Sequence, residues 1–178
     1  MVRIFTSLEE IAGAVGEQLG TTEWLTIDQE RVDAFADATD DHQWIHVDTE
    51  RAAAGPFGGT IAHGYLTLSL LPLFGTQVLG LETPGAKLNY GLNKVRFPAP
   101  VPVGSRIRAH ATLADVTDVP AGKQVTFGWI IEIEDAPKPA CVAETVVLLL
   151  GGTAQPTRPS STGVGSYDAP LGPSSPTS

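Results

Sequence analysis

Apolar and polar positions along the chain change period several times. From Ser7 to about Leu19 the apolar residues Leu8, Ile11, Ala12, Val15 and Leu19 make one helical stripe. Ser7 with Glu10 three residues on predicts a capping box at its start, and Gly20 a stop. Trp24–Ile27 reads as a short strand, and Thr26 with Gln29 predicts the cap of a second helix that carries Val32, Phe35 and Ala36 on one face. From Ala62 to about Leu79 the pattern is apolar nearly all round, which predicts a buried helix, kinked where Pro72 removes a backbone donor. After Pro84 the period falls to two. Four strands are predicted, Ala86–Phe97, Ser105–Val116, Gln124–Glu134 and Ala140–Leu150, separated by Pro- and Gly-rich turns. One long helix followed by four strands is an α+β order, and the strand at Trp24 makes about five antiparallel strands curved around the helix.

Composition narrows the setting. The 178 residues suit one domain, placed at 1–150, and the stretch 151–178 is so rich in Gly, Pro, Ser and Thr that it predicts a disordered tail. No apolar run reaches the roughly 20 residues of a membrane span, and the first ten residues lack the apolar core of a signal peptide, so a cytoplasmic protein without a membrane partner is expected. A net charge of −9 argues against nucleic acid as a partner. Cys141, the single cysteine, lies in an apolar strand pattern and reads as a buried filler.

Candidate chemistry concentrates between Phe35 and Leu66, where His42, His46 and His63 stand among Asp37, Asp40, Asp41 and Asp48. Trp44, Ile45 and Val47 favour extended backbone, so the segment from Asp41 to His46 is expected to be a loop. Folding back, it would let the Asp41 carboxylate and the His46 imidazole share one water and act as a general acid–base pair. Asp48 should cap a short helix Thr49–Ala54, ended by Gly55-Pro56. Gly64 would present its amide at the start of the buried helix, where unpaired N–H groups favour an oxyanion, and a glycine there would admit a ligand closely. A metal is the rival reading, because His42 and His46 are four apart and Asp41 or His63 could complete a set. Against it, HQWIH lacks the Glu that follows the first His of a zinc hydrolase, and no metal is expected. His42 and His63 read as hydrogen-bonded supports, and His110 as a surface residue.

The run Phe35-Ala36…Asp41…Ile45-His46-Val47-Asp48…Ala53…Phe57-Gly58…Ile61-Ala62-His63-Gly64 resembles the hydratase motif of the MaoC-like, (R)-specific enoyl-CoA hydratases of the hot-dog fold, and the resemblance extends from about Phe5 to about Leu150. It implies a hydro-lyase that adds water reversibly to a trans-2-enoyl-CoA, with the residues at Asp41 and His46 catalytic and the Gly64 amide on the thioester carbonyl. It also implies a homodimer, and no organic cofactor, since coenzyme A arrives with the substrate. Many members have a small residue at the position of Asp40, and a second carboxylate beside Asp41 could raise its pKa by like-charge repulsion. Dehydration of acyl-carrier-protein thioesters, or a catalytically silent hot-dog subunit, are the alternatives.

Between Thr83 and Ala114 there is no acidic residue but five of the eleven basic ones, Lys87, Lys94, Arg96, Arg106 and Arg108. Lys94 and Arg96 are expected to share a strand face, as are Arg106 and Arg108, and to meet the phosphates of coenzyme A. Asn93 would position the active-site loop or touch the ligand. His63, Tyr65, Trp44 and Phe57 complete the expected substrate contacts, the acyl chain lying by the buried helix near Leu66, Leu68 and Ser69 or by the loop around Trp44 and Phe57.

Overall fold

The computed structural model describes residues 2–150, so the expectation for the tail at 151–178 lies outside the described residues. The order of elements is β1 (Arg3–Phe5), α1 (Leu8–Gly13), β2 (Gln18–Thr21), β3 (Leu25–Thr26), α2 (Gln29–Thr39), α3 (Trp44–Val47), α4 (Thr49–Ala53), α5 (Gly64–Ser69), α6 (Leu71–Val78), β4 (Leu79–Leu81), β5 (Lys87–Arg96), β6 (Arg106–Val119), β7 (Gly122–Ile133) and β8 (Cys141–Leu150).

The main sheet has six strands in the order β2-β6-β7-β8-β5, with β3 also paired to β6, and its pairs are antiparallel. A parallel pair of β1 and β4 stands apart from it. The expected count of about five misses β2, β1 and β4, which are only three or four residues long and take their pairing from distant partners.

Alternation decides which face of the sheet is inside. Ile107, Ala109, Ala111 and Leu113 of β6, Val125, Phe127, Trp129, Ile131 and Ile133 of β7 and Cys141, Ala143 and Leu149 of β8 all join the core, where they meet Leu66 of α5, Leu71, Phe74 and Val78 of α6, and Leu70 between the two helices. Burial pushes the Cys141 thiol up to about 11, as befits an inert filler.

Four local expectations are corrected. The first helix ends at Gly13 rather than near Leu19, because the chain turns through Gly16 at φ 89° and Gln18–Thr21 joins the sheet edge; Ser7 does cap it, accepting from the Glu10 amide. The second helix is capped by Asp28, whose carboxylate accepts from the Arg31 amide, while Thr26 belongs to β3. The buried helix is two helices. Pro72 sits in the first turn of α6, where its missing N–H costs no intrahelical bond, so the chain restarts instead of kinking. Nor is that helix buried all round: Tyr65 and Leu73 are 70% and 44% exposed. The segment after Gln43 forms the helical turn α3 instead of a loop, since tertiary bonds override the extended preference of its β-branched residues.

Candidate active site

Three short elements meet at one end of the α5–α6 pair. Helix α2 ends at Asp40, which takes the left-handed conformation at φ 57°. A small residue, glycine above all, suits such a position, so the departure at Asp40 has a backbone account: aspartate is among the few residues that adopt this conformation readily. The turn delivers Asp41, whose side chain stays 54% exposed.

His46 enters on α3 and is buried. Its backbone carbonyl accepts from Gln29 Nε2 at 2.7 Å, and Gln29 Oε1 in turn accepts from Thr60 Oγ1 at 2.6 Å. The Ile61 amide donates to the Ile45 carbonyl at 3.0 Å, and His46 Nδ1 donates to the Ile61 carbonyl at 2.7 Å. With its proton held there, the neutral ring keeps a lone pair on Nε2. Burial holds the His46 pKa below its usual 6.5, and nearby His63 adds to the fall; the Ile61 bond and Asp41 oppose it.

His63 is 3% exposed and caps α5 without a side-chain bond to the helix. Its ring stacks on His46, centroids 3.7 Å apart and planes 25° apart, and leans on Phe35 at 5.0 Å. Its Nε2 donates to the Asp41 carbonyl at 2.9 Å and lies 3.9 Å from Asp41 Oδ2. One ligating atom of each of Asp41, His46 and His63 lies within 4.8 Å of the other two, a spacing that one water can bridge by two hydrogen bonds.

Among the described residues these three are also the ones from which a metal centre would have to be built. The rings fit it poorly: stacked imidazoles send their lone pairs side by side rather than toward a common centre, and each ring has a nitrogen committed to a carbonyl oxygen. His42 is not part of the set. Its Nε2 bonds Asp37 at 2.9 Å, a contact that raises its pKa.

Gly64 opens α5, whose first amides have no acceptor within the helix. The space at its Cα is not kept for a ligand, however. A Cβ there would meet the Phe97 ring at 3.0 Å, so this glycine is required by a protein side chain. Tyr65 stands edge-on to the same ring, at 6.1 Å. Trp44 is held under the Arg51 guanidinium at 4.4 Å and packs on Gly55, and Phe57 is 46% exposed.

A cleft of about 520 Å³ runs between α5–α6 and the sheet, lined by Leu68, Ser69, Pro72, Leu92, Trp129 and Thr145 among others. Asp41, His46 and His63 do not line it. It begins about a turn beyond Gly64, so of the two places expected for an acyl chain the cleft adjoins the one at Leu68 and Ser69.

The edge strand β5 carries Asn93, Lys94 and Arg96, all exposed. Asn93 lies at a register shift between Leu92 and Lys94, as the extra residue of a bulge. Lys94 and Arg96 do share a face, the one away from the core, opposite Glu144 and Val142. Arg106 and Arg108 do not fit the phosphate expectation. They pair with Glu134, just past the end of β7, and with Glu132 on it, and stack against Trp24. His110 belongs to the same network through Glu132, at 3.0 Å. Gln29, which the sequence marks only as a capping residue, bonds Asp33 four residues on and also His46 and Thr60, 17 and 31 residues away.

Residues 10–132 match the family described as the MaoC like domain. The 3-hydroxyacyl-thioester dehydratase Z of Mycobacterium tuberculosis is 56% identical over 147 residues, covering 82% of this chain and 97% of its own length. Nodulation protein N of Rhizobium leguminosarum is 46% identical over 148 residues, with 80% and 91% covered. Among solved structures, an (R)-hydratase from A. caviae involved in PHA biosynthesis matches at a TM-score of 0.62 and 26% identity, over 76% of this chain and 96% of that one. The fold is a single hot-dog domain. No helix among the described residues is long and apolar enough to cross a membrane.

Proposed function

The chain belongs to the MaoC-like dehydratase family and is a dehydratase-type enzyme, and from that premise we propose that it adds water reversibly and (R)-specifically to a trans-2-enoyl-CoA. The observation that carries the reading is the approach of the Asp41 and His46 ligating atoms to within 4.8 Å, beside the start of α5, whose first amides have no acceptor within the helix.

In this reading the thioester carbonyl accepts a hydrogen bond from the Gly64 amide, which draws electrons from the C2–C3 double bond. His46 Nε2 takes a proton from the water as its oxygen bonds to C3, and Asp41 orients that water and steadies the imidazolium. Negative charge grows on the thioester oxygen, where preorganised donors act more strongly than in the ground state. The proton then returns from His46 to C2 on the same face of the chain. One water is added, no proton is gained or lost overall, and a single face gives a single enantiomer. The acyl chain would occupy the apolar cleft by Leu68 and Ser69. Lys94 and Arg96 would meet the carrier's phosphates, and coenzyme A is needed only as part of the substrate. Tyr65, Trp44, Phe57 and Asn93 would line the approach.

A homodimer completes the reading. Among the described residues strand β5 is paired on one side only, by β8, and its Leu88, Tyr90 and Leu92 are 47%, 63% and 48% exposed, near-half apolar exposure that a second copy would cover. Light scattering of the purified chain should give twice the monomer mass; a monomer at micromolar concentration removes this part.

The function itself is tested by mixing the protein with crotonyl-CoA and following the enoyl-thioester absorbance. It should fall, and in reverse it should rise with (R)- but not (S)-3-hydroxybutyryl-CoA. An unchanged absorbance overturns the activity, and dehydration of the (S) form overturns the stereochemistry. The same acyl group on acyl carrier protein should react more slowly than on coenzyme A; the opposite order reassigns the carrier.

A further inference from the structure

His63 touches both members of the Asp41/His46 pair. One ring nitrogen donates to the backbone carbonyl of Asp41 at 2.9 Å, and one ring face lies on His46 at 3.7 Å. The two partners come from different elements, the turn after α2 and the helix α3, and His63 itself belongs to the entry of α5.

The residue type is costly where it stands. Its Nδ1 is buried with no hydrogen-bond partner among the described residues, and an unpartnered buried polar atom subtracts from stability. A phenyl ring would fill the same volume against Phe35 and His46 without that cost. What phenyl cannot do is donate to the Asp41 carbonyl. That oxygen accepts only, so the His63 proton sits on Nε2 and the lone pair on Nδ1. The bond matters because Asp41 follows a left-handed residue and its side chain is 54% exposed; the His42–Asp37 contact braces the turn from outside, while among the described residues no hydrogen bond holds the Asp41 carboxylate itself.

We propose, resting on the hydratase reading, that His63 is a positioning residue: its Nε2–H pins the Asp41 turn while its ring face fixes the orientation of His46 and keeps water off it. The titratable groups that face His46 are Asp41 and His63, so the acid limb of the rate profile reports this environment.

Two variants separate the two contacts. His63→Phe keeps the ring face and removes the donor; kcat should fall about tenfold to a hundredfold, with KM for crotonyl-CoA within about twofold and the acid limb moving up less than in the Gln variant, since the burial stays and only the His63 charge is lost. His63→Gln keeps a donor at similar reach and removes the ring. It should lose less kcat, about threefold to tenfold, while the acid limb moves up as water reaches His46. Both are compared at equal folded fraction by circular dichroism. Imidazole ¹⁵N spectra of the parent should show His63 with its proton on Nε2, a readout that needs no turnover. Both variants within about twofold of the parent kcat, an unmoved acid limb in the Gln variant, or a proton on Nδ1 would overturn the proposal. A parent inactive on crotonyl-CoA sinks the hydratase reading instead, and the spectra still judge the His63 tautomer.

Discussion

The central strands β6–β8 and the segment from Asp41 to Gly64 are held together by different physics. In the strands, alternation sends Ile107, Leu113, Phe127 and Ile131 to one side, and regular ladders satisfy the backbone. The segment has only the short helices α3 and α4 before α5 begins, and it hangs on side-chain bonds to backbone atoms: Gln29 to His46, His46 to Ile61, His63 to Asp41. Stability resides in the first region and geometry in the second. Damage to one should therefore leave the other's observable largely alone.

The largest expected effect lies in the sheet. Leu113→Ala truncates a fully buried side chain that does not line the cleft and should cost about 2–5 kcal/mol of unfolding free energy, with activity per folded molecule changed far less. Calorimetry and active-site titration check both halves, and a loss below about 1 kcal/mol would break the contrast. Next come Asp41→Asn and His46→Gln, each expected to lower kcat/KM on crotonyl-CoA by about 10² or more while the melting midpoint shifts by only about 2 °C. Large drops in midpoint would show that the pair is structural. The pH profile sharpens the comparison. Because burial depresses the His46 pKa, its basic form survives to lower pH, so kcat/KM should hold through pH 6.5 and fall only below it; a limb at or above 6.5 contradicts the burial. The smallest effect is expected at the rim. Lys94→Ala with Arg96→Ala should raise KM for crotonyl-CoA roughly tenfold, weaken its salt dependence, and leave a crotonyl thioester of pantetheine unaffected. Equal changes for both thioesters would remove the phosphate role.

The same division explains what the sequence made legible. The four long strands were plain because period-two alternation is a local signal, and their observed bounds differ from the expected ones by a few residues. The approach of Asp41 to His46 follows from a spacing of five. What failed was set by contacts across the chain. Trp44–Val47 reads as extended because of its β-branched residues, yet bonds from Gln29 and Ile61 hold it helical. No local pattern marks Gln29, and nothing near His63 in the chain says that it lies on His46, 17 residues earlier. Arg106 and Arg108 looked like free cations because their partners, Glu132 on the next strand and Glu134 just past its end, are distant in sequence. Asp40 invited an electrostatic reading when its left-handed backbone was the cause.

Strand β5 has two register shifts, between Asn89 and Gly91 and between Leu92 and Lys94, and just past its end Phe97 lies on Gly64. Each inserted residue reverses which side chains look inward, so two together restore the original parity. Pairing the strand straight through either place, with no residue set aside, would turn Arg96 inward, opposite Cys141, and bring a guanidinium where the benzyl group now rests. Two apparent blemishes in a solvent-facing strand thus act as a counting device, and what they count is whether grease or charge arrives at the tip of the helix.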